Sequence, residues 1–270
     1  MKKASFFPIL CFCAVAAFSQ KPKEDYFGFK KDGTPENDVS KAAYFLQRVM
    51  ENDTTIICRY YQAEGPLIRW ETFYDTTLQI PNGRFAWYNK KGDLDSTGYC
   101  YRGKKDRTWI YGYDKKGKPL LTEKYQKGIL LQRINYKTRK VFANGIETDL
   151  QDPVITQEKT GAMTLVNDKP ATYVAGGIPG WMDYLANSIQ TPARFIGIAG
   201  PNSEGRVGVE FYISTNGKTN DLFIYHSTEW SVDMEAMRVI RNSPPWNPAL
   251  KAGVLVTYPQ KQMLTFVVKP

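Results

Sequence analysis

This sequence predicts an α+β chain: an N-terminal antiparallel β-repeat sheet, followed by a small domain ordered helix-strand-strand-helix-strand. Three observations carry that expectation. Tyr61-Gln-Ala-Glu-Gly65, Tyr88-Asn-Lys-Lys-Gly92 and Tyr113-Asp-Lys-Lys-Gly117 all fit Tyr-x-x-x-Gly, so a unit of about 25–27 residues recurs. Gly205 to Ser214 alternates apolar Val207, Val209, Phe211 and Ile213 ahead of Asn216-Gly217, a hairpin signal. Stretches with helical apolar spacing, each stopped by proline, lie on either side of that hairpin.

The chain opens with Lys2 and Lys3, an apolar run from Phe6 to Phe18, and Ala17-Phe18-Ser19 before Gln20. That layout is a secretory signal peptide over residues 1–19. The run is about thirteen residues, short of the roughly 20 that a spanning helix needs. The expected location is therefore the periplasm or cell envelope, and the alternative is an inner-membrane anchor formed by an uncleaved N-terminal segment. The chain carries 36 Lys and Arg against 27 Asp and Glu, a net charge of +9, of which about +7 remains without Lys2 and Lys3. Much of the excess sits in turn-like pairs such as Lys90-Lys91 and Lys115-Lys116, which read as solvated loop tips, and no nucleic-acid partner is expected. Past the signal only Cys58 and Cys100 remain, an even pair in an oxidising compartment, which leaves one disulfide open.

Residues 20–145 form the repeat region. Between the Tyr-x-x-x-Gly units lie Asn82-Gly83, Arg102-Gly103 and Lys127-Gly128, so each unit reads as strand, turn, strand, turn. A unit of this size cannot bury its own face, and neighbours must stack. Trp87, Tyr99, Tyr101, Trp109, Tyr111 and Tyr125 fit cross-strand packing, with a ligand platform as the other reading. Ahead of the array, Asp38 to Asn52 has helical apolar spacing, yet the part from Tyr44 pairs equally well with Thr54 to Tyr61 as a hairpin, which is the preferred reading. The array resembles the MORN-like repeats of the YwqK antitoxin-like family. Residues 146–177 lose the aromatics and the period and read as a connecting segment.

In residues 178–270, Trp181, Tyr184, Leu185 and Ile189 share a helical face after Pro179, and Pro192 stops that helix. Asn220 to Ser227 is the return strand, and Ser231 can cap a helix through Met234, Met237, Val239 and Ile240, stopped by Pro244-Pro245. Gln262 to Val268 is the closing strand. Gln190-Thr-Pro-Ala-Arg194, Gly205-x-Val-x-Val-x-Phe-x-Ile, Asp233-x-Glu-Ala-Met-Arg238, Pro245-Trp-Asn-Pro-Ala249 and Leu264-x-Phe266 together resemble the C-terminal domain of the energy transducer TonB. Thr191 departs from the tyrosine usual before the proline, and Gly200 to Glu204 reads as an inserted loop. The resemblance implies a non-enzymatic module that takes the extended TonB box of an outer-membrane receptor as an added strand. Carried over, the pairing edge is Gln262, Met263, Leu264, Thr265, Phe266, Val267 and Val268, and Gln190 matches a glutamine that helps hold the peptide. Leu264 and Phe266 read equally as sheet core, and Gln190 as a helix-end polar residue.

Energy transfer is the weak part of the analogy, because a transducer needs a membrane helix and a long Pro-rich spacer. A second class of function is a scaffold, in which the repeats recognise a protein partner and the C-terminal domain dimerises or docks. Chemistry is not expected. His226 is the only histidine, no nucleophile elbow surrounds Ser227, and no P-loop, dinucleotide fingerprint or calcium loop is present, so neither cofactor, metal nor small-molecule ligand is expected.

Overall fold

The computed structural model describes residues 23–151 and 168–270. The signal-peptide segment and residues 152–167 of the connecting segment lie outside the described residues. The repeat region is a single antiparallel sheet of β1 (Lys23–Phe29), β2 (Pro35–Glu36), β3 (Tyr44–Asn52), β4 (Thr55–Gln62), β5 (Leu67–Phe73), β6 (Gly83–Tyr88), β7 (Leu94–Tyr101), β8 (Lys104–Tyr113), β9 (Pro119–Gln126), β10 (Ile129–Asn135), β11 (Lys140–Ala143) and β12 (Ile146–Asp149). From β3 to β12 each strand pairs with the next in sequence, while β1 lies against the outer side of β3 and β2 against β1. The hairpin reading of the region from Tyr44 is the one that forms, preceded by a short 3-10 turn at Val39–Lys41.

Arg102-Gly103 and Lys127-Gly128 have both φ angles positive, the two-residue turn whose twist matches that of the flanking strands. Asn82-Gly83 behaves differently. β5 stops at Phe73 and Gly83 opens β6, so a loop intervenes, pinned where the Asn82 N–H donates to the Thr72 carbonyl at 2.9 Å.

Strand β4 is apolar on both sides, as expected of a strand covered on two faces. Ile56 and Cys58 pack with Leu46 and Phe73 on one face. Tyr61, on the other, joins Phe45, Leu67, Trp70, Ala86 and Tyr88. Cys58 and Cys100, considered above as a disulfide pair, are free buried thiols. They sit on β4 and β7 with β5 and β6 between them, three strand spacings of about 4.8 Å, far beyond the roughly 7 Å limit for a bridge.

The C-terminal part contains β13 (Thr172–Tyr173), α1 (Gly177–Ser188), α2 (Ala193–Ala199), β14 (Glu204–Ile213), β15 (Thr219–His226), α3 (Trp230–Arg241), β16 (Trp246–Asn247), β17 (Ala249–Lys251), β18 (Val254–Val256) and β19 (Tyr258–Val267). Its main sheet runs in the order β15-β14-β19; β13 pairs with β16, and β17 with β18. Val207, Val209, Phe211 and Ile213 are all buried, as their alternation predicts. The order is richer than helix-strand-strand-helix-strand. Pro192, read as a stop, is also the N-cap of α2. Asn216-Gly217 belongs to a longer loop closed by the Ser214 N–H donating to the Lys218 carbonyl at 2.9 Å. The cap of α3 is Glu229, whose carboxylate accepts from the Ser231 and Val232 N–H groups, two of the donors a helix start leaves unpaired.

The largest of the buried clusters runs through both halves of the chain. The Tyr61 face of β3–β6 and the C-terminal residues Phe223, Ile224, Val232, Ala236 and Met237 belong to one buried cluster. Trp70 meets Phe223 edge-on at 5.4 Å, and Trp230 stands edge-on to Tyr26 and Phe45. Polar contacts fix the register of this docking. The Leu67 N–H donates to Ser227 Oγ at 2.8 Å, the Ser227 N–H to the Gly92 carbonyl at 2.9 Å, and the Tyr88 hydroxyl to the Ile224 carbonyl. Arg84 pairs with Glu210 at 3.0 Å.

Candidate peptide-binding edge of the C-terminal sheet

β14 is paired on both sides, so the small sheet has two edges, β15 and β19. The β15 end is engaged by the repeat sheet through Ser227 and through a bridge between His226 and Asp93, where the His226 Nδ1 lies 2.9 Å from Asp93 Oδ1. Among the described residues no strand pairs with the outer side of β19.

The direction of the β19 backbone follows from its register. It pairs with β14 without a bulge from Tyr258 to Val267, and beyond it the Val268 N–H donates to the Ser203 carbonyl at 2.9 Å. Antiparallel pairs alternate, so Gln262, Leu264, Phe266 and Val268 direct their backbone groups to β14, while Met263, Thr265 and Val267 turn theirs outward. Two contacts agree: the Met263 carbonyl accepts from Gln262 Nε2 at 2.8 Å, and the Val267 carbonyl from Thr191 Oγ1 at 3.2 Å. Side chains alternate as well. Leu264, Phe266 and Val268 are buried; Met263, Thr265 and Val267 are exposed beside the edge. A strand laid along β19 would find unpaired backbone at Thr265 and apolar side chains on either side of it.

Two residues outside β19 shape this edge. Trp181 Nε1 donates to Gln262 Oε1 at 2.8 Å, so α1 fixes the Gln262 amide, whose NH2 covers the Met263 carbonyl. Thr191 covers the Val267 carbonyl from the α1–α2 connection. Gln190, its neighbour, is exposed and is anchored by its backbone N–H to Glu235 Oε1 at 2.9 Å. The edge is thus partly blunted, as sheet edges usually are. The sequence reading missed Trp181 and Thr191 as edge residues, although Thr191 was already singled out as a departure.

Residues 201–268 match the family of the Gram-negative bacterial TonB protein C-terminal. The match spans β14, β15, α3 and β19 of this TonB-type domain and leaves α1, α2, Gln190 and the whole repeat sheet outside it. No curated protein and no solved structure matches the chain.

Deeper in the TonB-type domain, Asp233 is fully buried. It accepts from Ser227 Oγ at 2.5 Å and from the Thr228 N–H at 3.2 Å, and the buried Tyr61 hydroxyl faces it without a hydrogen bond of good geometry. Burial outweighs those donors and pushes its pKa up to about 7. His226 points away to Asp93, so Ser227 and Asp233 lack an imidazole between them and form a docking contact. Among the described residues no three His, Cys, Asp or Glu side chains converge as a metal site, and no helix is long and apolar enough to cross a membrane.

Part of the aromatic stripe of the repeats packs together, both across strands and along β8, while Tyr101 is exposed. Trp87 and Trp109 lie 6.2 Å apart, as do Trp109 and Tyr111. Lys105 Nζ occupies the ring faces, 4.7 Å from the Trp109 centroid and 5.1 Å from that of Tyr125, which favours packing over a ligand platform.

Proposed function

We propose that this chain is a cell-envelope binding protein whose TonB-type domain takes up an extended peptide as a fourth strand along β19, with the TonB box of an outer-membrane receptor as the leading peptide class. The observation that carries this reading is the unpaired outer side of β19, where Met263, Thr265 and Val267 turn their backbone groups away from β14. Backbone pairing supplies affinity there, and the exposed Met263 and Val267 side chains supply selectivity. In this proposal Gln190, the neighbour of Thr191, helps to hold the incoming strand at the Val267 end. The family match supports the same reading, because it ends on this strand. The N-terminal sheet, in this proposal a MORN-like array, holds the domain through the shared core.

A photo-crosslinking residue at Thr265, introduced in the native host, tests the reading. Crosslinks to the N-terminal segments of outer-membrane receptors support it. Crosslinks confined to the chain itself, or none, overturn it. The scaffold alternative draws on a different observation, the docking of the TonB-type domain onto β3–β6. It requires instead that partners crosslink from probes on the repeats.

A further inference from the structure

A cleft of about 860 Å³ lies between the repeat sheet and the TonB-type domain, on the β15 side of the small sheet. Its size falls within the range of small-molecule sites. Four arginines line it, Arg59 and Arg84 from the sheet, Arg107 from β8 and Arg241 from α3, against the two acids Glu51 and Asp221. Arg241 reaches Glu51 at 3.9 Å, and Arg84 is held by Glu210 at 3.0 Å. Arg107 lies over the Tyr99 ring at 4.0 Å, and neither it nor Arg59 has a carboxylate within ion-pair distance among the described residues.

Arg59 decides the matter. It is 3% exposed, and its guanidinium stacks 4.4 Å over the Trp70 ring. One terminal nitrogen, Nη1, donates to Gln47 Oε1 at 3.1 Å and touches Met234 Sδ. Gln47 then passes hydrogen bonds of 3.1 Å to Glu24 and Tyr26, so a neutral amide separates Arg59 from the nearest acid of that network. The other edge of the fork, Nε and Nη2, makes no hydrogen bond, and Nε is fully buried. A buried guanidinium with an empty bidentate edge is costly to maintain unless something anionic meets it.

We propose that this cleft binds a small anionic ligand bearing carboxylate or phosphate groups, with the Arg59 guanidinium supplying uncompensated positive charge at its floor and Arg107 and Arg241 meeting the ligand's charge at the exposed rim. The site is separate from the β19 edge and does not depend on peptide capture there.

Isothermal titration of the full chain with citrate and with pyrophosphate, against sodium chloride at matched ionic strength, tests it. Saturable binding of either supports the proposal; citrate alone assigns a carboxylate ligand and pyrophosphate alone a phosphate. Arg59→Met and Arg107→Ala should each weaken binding at least tenfold. Arg59→Met also removes the donor to Gln47 Oε1 and lowers the ligand-free melting temperature, so the readout for Arg59 is anion binding by the folded variant, and undiminished binding overturns its part in the site. Should Arg59→Met fail to fold, the exposed rim variants Arg107→Ala and Arg241→Ala decide. The proposal falls if neither anion binds saturably, or if binding survives the rim variants.

Discussion

Replacing Asp233 with asparagine should turn from near neutral in acid to stabilising at alkaline pH. The carboxyl has a native pKa of about 7 against 3.8 unfolded, because burial outweighs the donors from Ser227 and Thr228. A native value raised above the unfolded one means that the folded state binds the proton more tightly. Its contribution is therefore complete below about pH 4 and is lost as pH rises towards 7. The displacement corresponds to on the order of 4 kcal/mol. The asparagine side chain cannot ionise, and its amide disturbs the Ser227 hydrogen bond at a cost of about 1 kcal/mol. Asp233→Asn should thus be about as stable as the parent at pH 4.5 and about 3 kcal/mol more stable at pH 8. Urea unfolding midpoints at pH 4.5, 6 and 8 read this directly, and other titrating groups cancel in the difference between the two proteins. A difference that stays constant across this range would refute the placement of Asp233 as a buried, docking-side acid.

Gly92 has φ of 81°, and a Cβ there would lie 1.8 Å from the Ser227 carbonyl oxygen, so Gly92→Ala should cost roughly 2–5 kcal/mol in chemical denaturation by forcing the β6–β7 turn off the TonB-type domain. Thr265→Pro should leave the thermal midpoint within a few degrees, because the Thr265 N–H faces away from β14, yet abolish binding of a fluorescent receptor-box peptide; Thr191→Val, which uncovers the Val267 carbonyl, should tighten that binding by about two- to fivefold. Burial pushes the Cys58 thiol up to about 11 and raises Cys100 as well, so both should react with a thiol reagent at pH 8 only after denaturation.

The sequence made the elements legible where one face was buried and the other wet. Val207 to Ile213 alternates cleanly because β14 has one core face, and the Gln262 to Val268 strand alternates for the same reason. Capping was legible only in outline: Ser231 has the right chemistry, but Glu229, two residues earlier, is the cap, accepts from the Ser231 and Val232 N–H groups and is held by Arg194 at 3.2 Å. The docking of the two halves escaped the reading, because Ile-Ile-Cys-Arg-Tyr-Tyr in β4 has apolar or aromatic residues at both parities around Arg59 and carries no period to show which face meets what. Arg59 inside that run is the residue whose burial a sequence reading would least expect, and the cleft it lines depends wholly on that docking.

The same docking explains why the proposed peptide capture falls to β19. A three-stranded sheet offers two edges, and on this domain one of them is already occupied, since Ser227 gives its backbone N–H to Gly92 and His226 meets Asp93. A peptide entering on the β15 side would have to displace these contacts and then expose Trp70, Phe223 and Tyr61, which are buried together. Entry along β19 disturbs only the side-chain caps from Gln262 and Thr191, each a single hydrogen bond. With exchange against water, those caps are worth about 1 kcal/mol apiece, whereas undocking would forfeit the burial of several aromatic side chains at roughly 1.5–3 kcal/mol each. In the proposed binding mode the preference for β19 is therefore built by the repeat sheet as much as by the TonB-type domain itself.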